Sequence, residues 1–344
     1  WHGLALNPVR DVSKIQAGLG DWGPITSYHW WGEPQLGYYN LSTSPDILKK
    51  HAEQLYEAGI DFVFLDLTNW KEDESSQPGS TYKAVQEPLL KLLEVWSTIP
   101  TAPKIVPWIK LPGGKSSPLF NWYTELLDSN YPQMRFIYEG KPLILGSYGS
   151  NQPDPEFINA INSKYTYRSM WAFTGSGPFW SYLQRCQNDT AFKQSEGQET
   201  CNQPVVLKNG QAEQVSVTTA YHKYFISDNR DNVPKFNGRT FRRQFETVFN
   251  NVGVPIVTIT GWNEWIAQRF CLAADGSRAT SNCASETFPD SSRVFVDLYD
   301  VDRNRDIEPA KDGKEDYYYE LIKSCISLYK SGKNCVTQNS SLCC

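Results

Sequence analysis

Short apolar runs rich in β-branched and aromatic residues alternate along the chain with stretches whose apolar residues recur every three or four positions. The runs Ile25–Trp31, Phe62–Leu67, Lys104–Ile109, Pro142–Gly146, Ser169–Phe173, Gln214–Thr219, Pro255–Gly261 and Arg293–Leu298 predict eight strands. Helices are predicted over Pro45–Ala58, Glu87–Thr98, Trp122–Asp128, Pro155–Ile161, Thr240–Asn250 and Asp316–Leu328. The first of these follows Ser44, a good N-cap, and stops at Gly59, a residue suited to the left-handed turn after a helix. Between the fifth and sixth strands a long polar stretch, Gln187–Gly210, carries no clear helical pattern.

Strands alternating with helices imply a parallel sheet, and eight of them match a closed (β/α)8 TIM barrel. The expected fold is therefore α/β, a single-domain barrel over residues 1–330 with disulfide-tied loops, followed by a cysteine-containing extension, 331–344. A doubly wound sheet is the alternative. It would show a glycine-rich phosphate loop after its first strand. Here that strand runs into Trp30-Trp31-Gly32-Glu33-Pro34, which cannot cradle a phosphate.

The chain has 344 residues, 40% of them hydrophobic and 21% charged, as expected of a globular core. The formal net charge is −5 and no long basic run occurs, so neither nucleic acid nor an anionic membrane surface is an expected partner. No apolar run approaches the length of a membrane span. Twelve Trp, 19 Tyr and 16 Phe supply flat faces on which sugars can stack, although most of them should fill the core. The eight cysteines, Cys186, Cys201, Cys271, Cys283, Cys325, Cys335, Cys343 and Cys344, all lie in the second half. No CxxC pair occurs and no His lies near a Cys, so disulfides are expected rather than a metal site, and no cofactor. Cys186–Cys201 and Cys271–Cys283 should each close a polar loop, and the last four cysteines should pair among themselves. Disulfides and the sequons at Asn40, Asn188 and Asn339 point to a secreted, extracellular protein. The start at Trp1 is what removal of a signal peptide would leave. A monomer is expected.

In a barrel the chemistry sits at the C-terminal ends of the strands. Those ends carry His29, Trp30 and Trp31, with Glu33 just beyond; Asp66, Asn69 and Trp70; Trp108; Trp171; His222; and Trp262, Asn263, Glu264 and Trp265. The last strand ends at Asp297, with Asp300 just beyond. Two carboxylates, hydroxyl-bonding groups and stacking planes are what glycosidic hydrolysis needs. Glu264, between two Trp residues, is the leading candidate, because a buried charge there would be costly without a task. The plain alternative is an ion pair with an arginine such as Arg269. Asp66 ends four apolar residues and is the candidate second carboxylate, with Glu33 and Glu213 in reserve. Desolvation between the Trp rings would suit Glu264 to be the acid and leave Asp66 as base or nucleophile. The alternating charges of Arg303–Pro309 read as a salt-bridged loop bracing the last helix.

The segments His29–Tyr39 (HWWGEPQLGYY), His51–Asn69, Gly261–Trp265 (GWNEW), and FVDLYDVDRNRDIEP followed by DYYYELI resemble secreted glycoside hydrolases of the family 71 and 99 group. The resemblance implies a (β/α)8 barrel acting on α-linked glucans or mannans. In the endo-α-mannosidase branch a second Glu stands three positions after the first. Ala267 occupies that position here, so the second carboxylate must come from another strand. The expected activity is hydrolysis of an α-linked polysaccharide, endo-acting because several rim aromatics would form more than one sugar subsite. A non-catalytic carbohydrate-binding barrel and a polysaccharide lyase are the alternatives, and a lyase would need cationic groups, in which this rim is poor.

Overall fold

A computed structural model of the chain describes residues 9–69, 85–111, 117–147, 153–171, 179–183, 204–222, 226–227, 232–233, 235–272, 278–279, 294–296, 304–311, 314–334 and 342–343. It divides into two compact units, one formed by Tyr39–Trp171 and the other by Leu6–Tyr38 together with Ala172–Cys344.

The first unit is built on parallel strands Phe62–Asp66, Lys104–Lys110, Lys141–Ser147 and Thr166–Trp171, hydrogen-bonded in that spatial order. A short strand, Ile137–Tyr138, folds back antiparallel on Lys141–Ser147 through Glu139 and Gly140, both at positive φ. Strand interiors such as Val106, Leu143, Ile144 and Leu145 are wholly buried, as continuous apolar runs in a parallel sheet should be. The helix Pro45–Glu57 buries Leu48, Ala52 and Leu55 along one stripe and packs on the helix Glu87–Trp96. Trp96 Nε1 locks the two by donating to the carbonyl of Leu48 across 2.8 Å. Gly59 ends the first helix at φ +77°.

The second unit holds a parallel pair, Gln211–Thr218 with Ile256–Thr260, in register from Gln214↔Ile256 to Thr218↔Thr260. The helix Arg239–Asn250 lies against the first of these strands through buried Phe241, Phe245 and Val248, and packs on the helix Tyr317–Lys330. A hairpin adds Val206–Lys208 to Gln211–Thr218 through Asn209 (φ 52°) and Gly210 (φ 78°), the two positive-φ residues a tight primed turn requires.

All eight runs expected to be strands contain one, but two of them do not enter a parallel ladder. Tyr28–Trp30 and Val294–Val296 both pair antiparallel with Ile266–Leu272, which also pairs Arg278–Ala279. The chain turns back after Trp265, so the strand that follows the GWNEW segment runs opposite to its neighbours. Cys325 and Cys343 form a disulfide that ties the tail to the last helix, in line with the expectation for the C-terminal cysteines. Cys271 is also disulfide-bonded. The expected Cys186–Cys201 pair, and Cys283, lie outside the described residues. Among the described residues no helix is long and apolar enough to cross a membrane.

Candidate functional site

The strand Ile256–Thr260 alternates buried and half-buried residues, then ends at Gly261. Gly261 adopts φ +100°, and a Cβ built there would stand 2.2 Å from the backbone oxygen of Arg305. Only glycine meets both conditions, the left-handed backbone and the close approach. The turn then delivers Trp262, Asn263, Glu264 and Trp265 against the extended segment Asn304–Glu308.

That segment holds the turn at nearly every position. The amides of Ile307 and Glu308 donate to the carbonyl of Trp262 across 3.2 and 3.0 Å. Asp306 Oδ1 accepts the backbone N–H of Glu264 at 2.6 Å, and its Oδ2 accepts Trp31 Nε1 at 2.8 Å. Two residues on, Glu308 Oε2 accepts Trp265 Nε1 at 2.5 Å. The two indoles so held are stacked, with centroids 4.1 Å apart and planes 14° apart. Arg305 donates from Nη2 to Glu264 Oε2 across 2.9 Å and to Tyr182 Oη across 3.3 Å. Its own carbonyl accepts Thr219 Oγ1. Lys235, buried, donates to Asn304 Oδ1 at 3.0 Å and to the Asp306 carbonyl at 3.2 Å, with its ammonium over the Tyr318 ring.

The electrostatics follow from burial. Arg305 is 1% exposed and Glu264 26% exposed, so a shielded cation faces a carboxylate that still reaches solvent. A guanidinium hydrogen bond of this kind is strongest to the carboxylate form. Burial pushes the Asp306 carboxyl up from its ordinary range, against the hydrogen bonds from Trp31 and the Glu264 amide and the nearby Lys235 charge, which pull it down. The alternative of an ion-paired Glu264 is thus met by Arg305. Arg269 instead donates to the carbonyl of Gly23 and lies over Trp22. The segment Asn304–Glu308 braces the GWNEW turn rather than the last helix alone.

Of the other candidates, Trp31, Trp262 and Trp265 share this cluster. Asp66 ends its strand half-buried in the first unit, where Oδ1 accepts both the amide (2.9 Å) and hydroxyl (2.7 Å) of Thr68. Tyr123, fully buried, has its phenol pushed well above the usual range by burial and by the charge of Asp66. Asn69 is exposed. Trp30, Trp31, Trp108 and Trp265 are buried, each at most 3% exposed, so their rings face protein. Asn263 is buried and Trp262 half-buried. Glu33 binds Lys14 and Lys311 with its two oxygens, and those hydrogen bonds hold its carboxyl below the usual range. Glu213 is buried and accepts Trp180 Nε1 at 2.9 Å. His29 is buried between the carbonyls of Ser27 and Trp22, and desolvation lowers its pKa to about 4. Trp171 and His222 lie in strands, but their side chains, like Trp70, Asp297 and Asp300, fall outside the described residues. Arg305, Asp306 and Glu308 were expected to form a salt-bridged loop bracing the last helix, and the structure instead sets them around Glu264, with Lys235, which the sequence did not single out.

Among the described residues no group of His, Cys, Asp and Glu is placed to hold a metal ion. No family model and no curated protein matches the chain. Among solved structures it is similar to a GH99 endo-alpha-mannosidase from Bacteroides thetaiotaomicron, with 14% identity over 89% of this chain and 85% of that one and a TM-score of 0.51. A complex of a GH99 endo-alpha-mannosidase from the same source with bis-tris-propane matches at 15% identity over 88% and 90%, with a TM-score of 0.51. The chain shares the α/β fold of these proteins.

Proposed function

We propose that this chain is a glycoside hydrolase that cleaves internal bonds of an α-linked glycan, with Glu264 as a catalytic carboxylate. The observation that carries the reading is the setting of Glu264. It follows a parallel strand, its amide is pinned by a buried acid, its side chain is paired to a buried guanidinium, and a quarter of it remains open. Rigid support around one accessible carboxylate is the arrangement a catalytic group requires. The fold shared with GH99 endo-alpha-mannosidases supports both the reaction class and the α-linkage.

The ion pair with Arg305 changes the role expected of Glu264. A carboxylate held as the anion suits a base or nucleophile, and a second carboxyl group then supplies the proton. The disulfide Cys325–Cys343 supports an oxidising, extracellular compartment, where the enzyme acts as a monomer.

The test is a panel of α- and β-linked polysaccharides incubated with the protein and with Glu264→Gln, read by mass spectrometry. Hydrolytic products from the α-linked members are expected, and the amide variant should lose about 10²–10⁴-fold in rate while still binding. Binding without cleavage would establish the carbohydrate-binding alternative, and unsaturated products the lyase. A Glu264→Gln variant at the parent rate removes Glu264 from the mechanism.

A further inference from the structure

We infer that Asp306 is a positioning residue for Glu264, which it aligns through the backbone while a stacked Trp pair fixes Asp306 in turn. The inference rests on the hydrolase reading and adds to it a group that touches no substrate.

The argument starts from the cost of the arrangement. Asp306 is fully buried, and burial opposes its charge. A chain that needed only to fill this space would be served by an apolar residue. The acid is instead used completely, one oxygen on the Glu264 amide and the other on the Trp31 indole. Neither donor can be served by the other oxygen without moving the side chain. The Glu264 amide is therefore located relative to the Trp31 ring. That ring is in turn stacked on Trp265, whose own N–H is held by Glu308. The result is a closed circuit, Glu264–Asp306–Trp31–Trp265, with Trp265 adjacent to Glu264 in sequence. Two acids two residues apart in one segment hold the two indoles, and the arginine immediately before the first of them holds the carboxylate itself. Backbone and side chain of Glu264 are thus referenced to the same short segment. A displacement of that segment moves both together.

This geometry makes a prediction that a merely stabilising acid would not. Two N–H donors converge on Asp306, and asparagine offers only one oxygen, so its NH2 group must oppose the other donor. In Asp306→Asn either the Glu264 amide or the Trp31 indole loses its acceptor. Trp31→Phe removes the indole donor, and an asparagine at 306 can then give its oxygen to Glu264. Asp306→Asn should therefore lower kcat by about tenfold to a hundredfold, the value of a charge-assisted hydrogen bond, with KM little changed. The Trp31→Phe/Asp306→Asn double variant should recover kcat to near that of Trp31→Phe alone. A role in stability alone predicts the opposite order, with the double variant worse than either single one.

The experiment measures kcat and KM of the full chain and the three variants on the α-linked polysaccharide that the parent protein cleaves. Hydrogen exchange of the peptide spanning 261–265 is followed by mass spectrometry alongside. Faster exchange there in Asp306→Asn, restored in the double variant while the helix Tyr317–Lys330 stays protected, supports the inference even if no substrate is cleaved. Parent-like exchange in Asp306→Asn, or a double variant less active than Asp306→Asn, overturns it. The hydrolase reading falls separately, if the parent protein cleaves nothing or Glu264→Gln retains full turnover.

Discussion

Gly261→Ala is expected to damage both stability and activity, and the two costs can be separated. An alanine at φ +100° pays for a backbone that L residues avoid, about 1–3 kcal/mol. Its Cβ would also lie 2.2 Å from Arg305 O, where ordinary contact begins at 3.4 Å, so the segment must retreat by 3.4 − 2.2 = 1.2 Å. Overpacking of that kind costs about 1–3 kcal/mol more. At about 2.1 cal/mol/K per residue, 344 residues give an unfolding entropy of about 0.7 kcal/mol/K, so a total of about 2–6 kcal/mol lowers Tm by about 3–8 °C. The displaced residue is the one whose side chain pairs Glu264, and a shift of about 1 Å in a catalytic setting can cost about 10²-fold in rate. Gly253→Ala is the internal control. It too sits at positive φ, +87°, but no atom lies within 4 Å of the added Cβ, so it should show the backbone cost alone. Differential scanning calorimetry and kcat/KM on the cleaved substrate read the two effects. Equal melting temperatures and equal activities in the two variants would refute the reasoning.

Two further outcomes follow from the structure. His29 titrates near 6.5 when unfolded and at about 4 in the fold, so the unfolded chain binds the extra proton first. Its contribution, at most about 3 kcal/mol, is complete above pH 6.5 and lost as the pH falls to 4. Urea melts across that range should be steeper in pH for the parent than for His29→Gln, and identical slopes would dismiss the assignment. The disulfide Cys325–Cys343 closes a loop of sequence separation 18 and should stabilise by about 3 kcal/mol. Replacing both cysteines by alanine should then lower Tm by about 4 °C, and an unchanged melting temperature would contradict that figure.

The parallel strands were legible as apolar runs, most plainly Ile105–Ile109, which is buried at every position. The helix Pro45–Glu57 was legible from its apolar stripe and from Gly59 beyond its C-terminus, although the Ser44 side chain makes no capping hydrogen bond. Ile266–Leu272 was not, since Gln268 and Arg269 interrupt it and the carbonyl that satisfies Arg269 belongs to Gly23, far away in sequence. The hairpin at Asn209-Gly210 was passed over although that pair is the strongest short turn signal; the long polar stretch before it drew the reading toward a loop. Glu264 stood out because charge between two Trp residues is conspicuous. Its supports did not, because Arg305 and Asp306 reach it from about 40 positions downstream, and single-sequence pattern carries no information about such pairings.

The hydrogen bond between Trp31 and Asp306 spans 275 positions of chain. On a ribosome adding about 5–20 residues each second, Trp31 waits roughly 15–55 s for its partner to be made. Through that interval an indole destined for a buried stack has no Asp306 to bind, and the strand and turn that carry Glu264 emerge before the segment that braces them. Closing so long a loop is also entropically slow. The setting of Glu264 therefore cannot be completed until Asn304–Glu308 has been made, and until then the Trp31 indole lacks the acceptor it has in the fold.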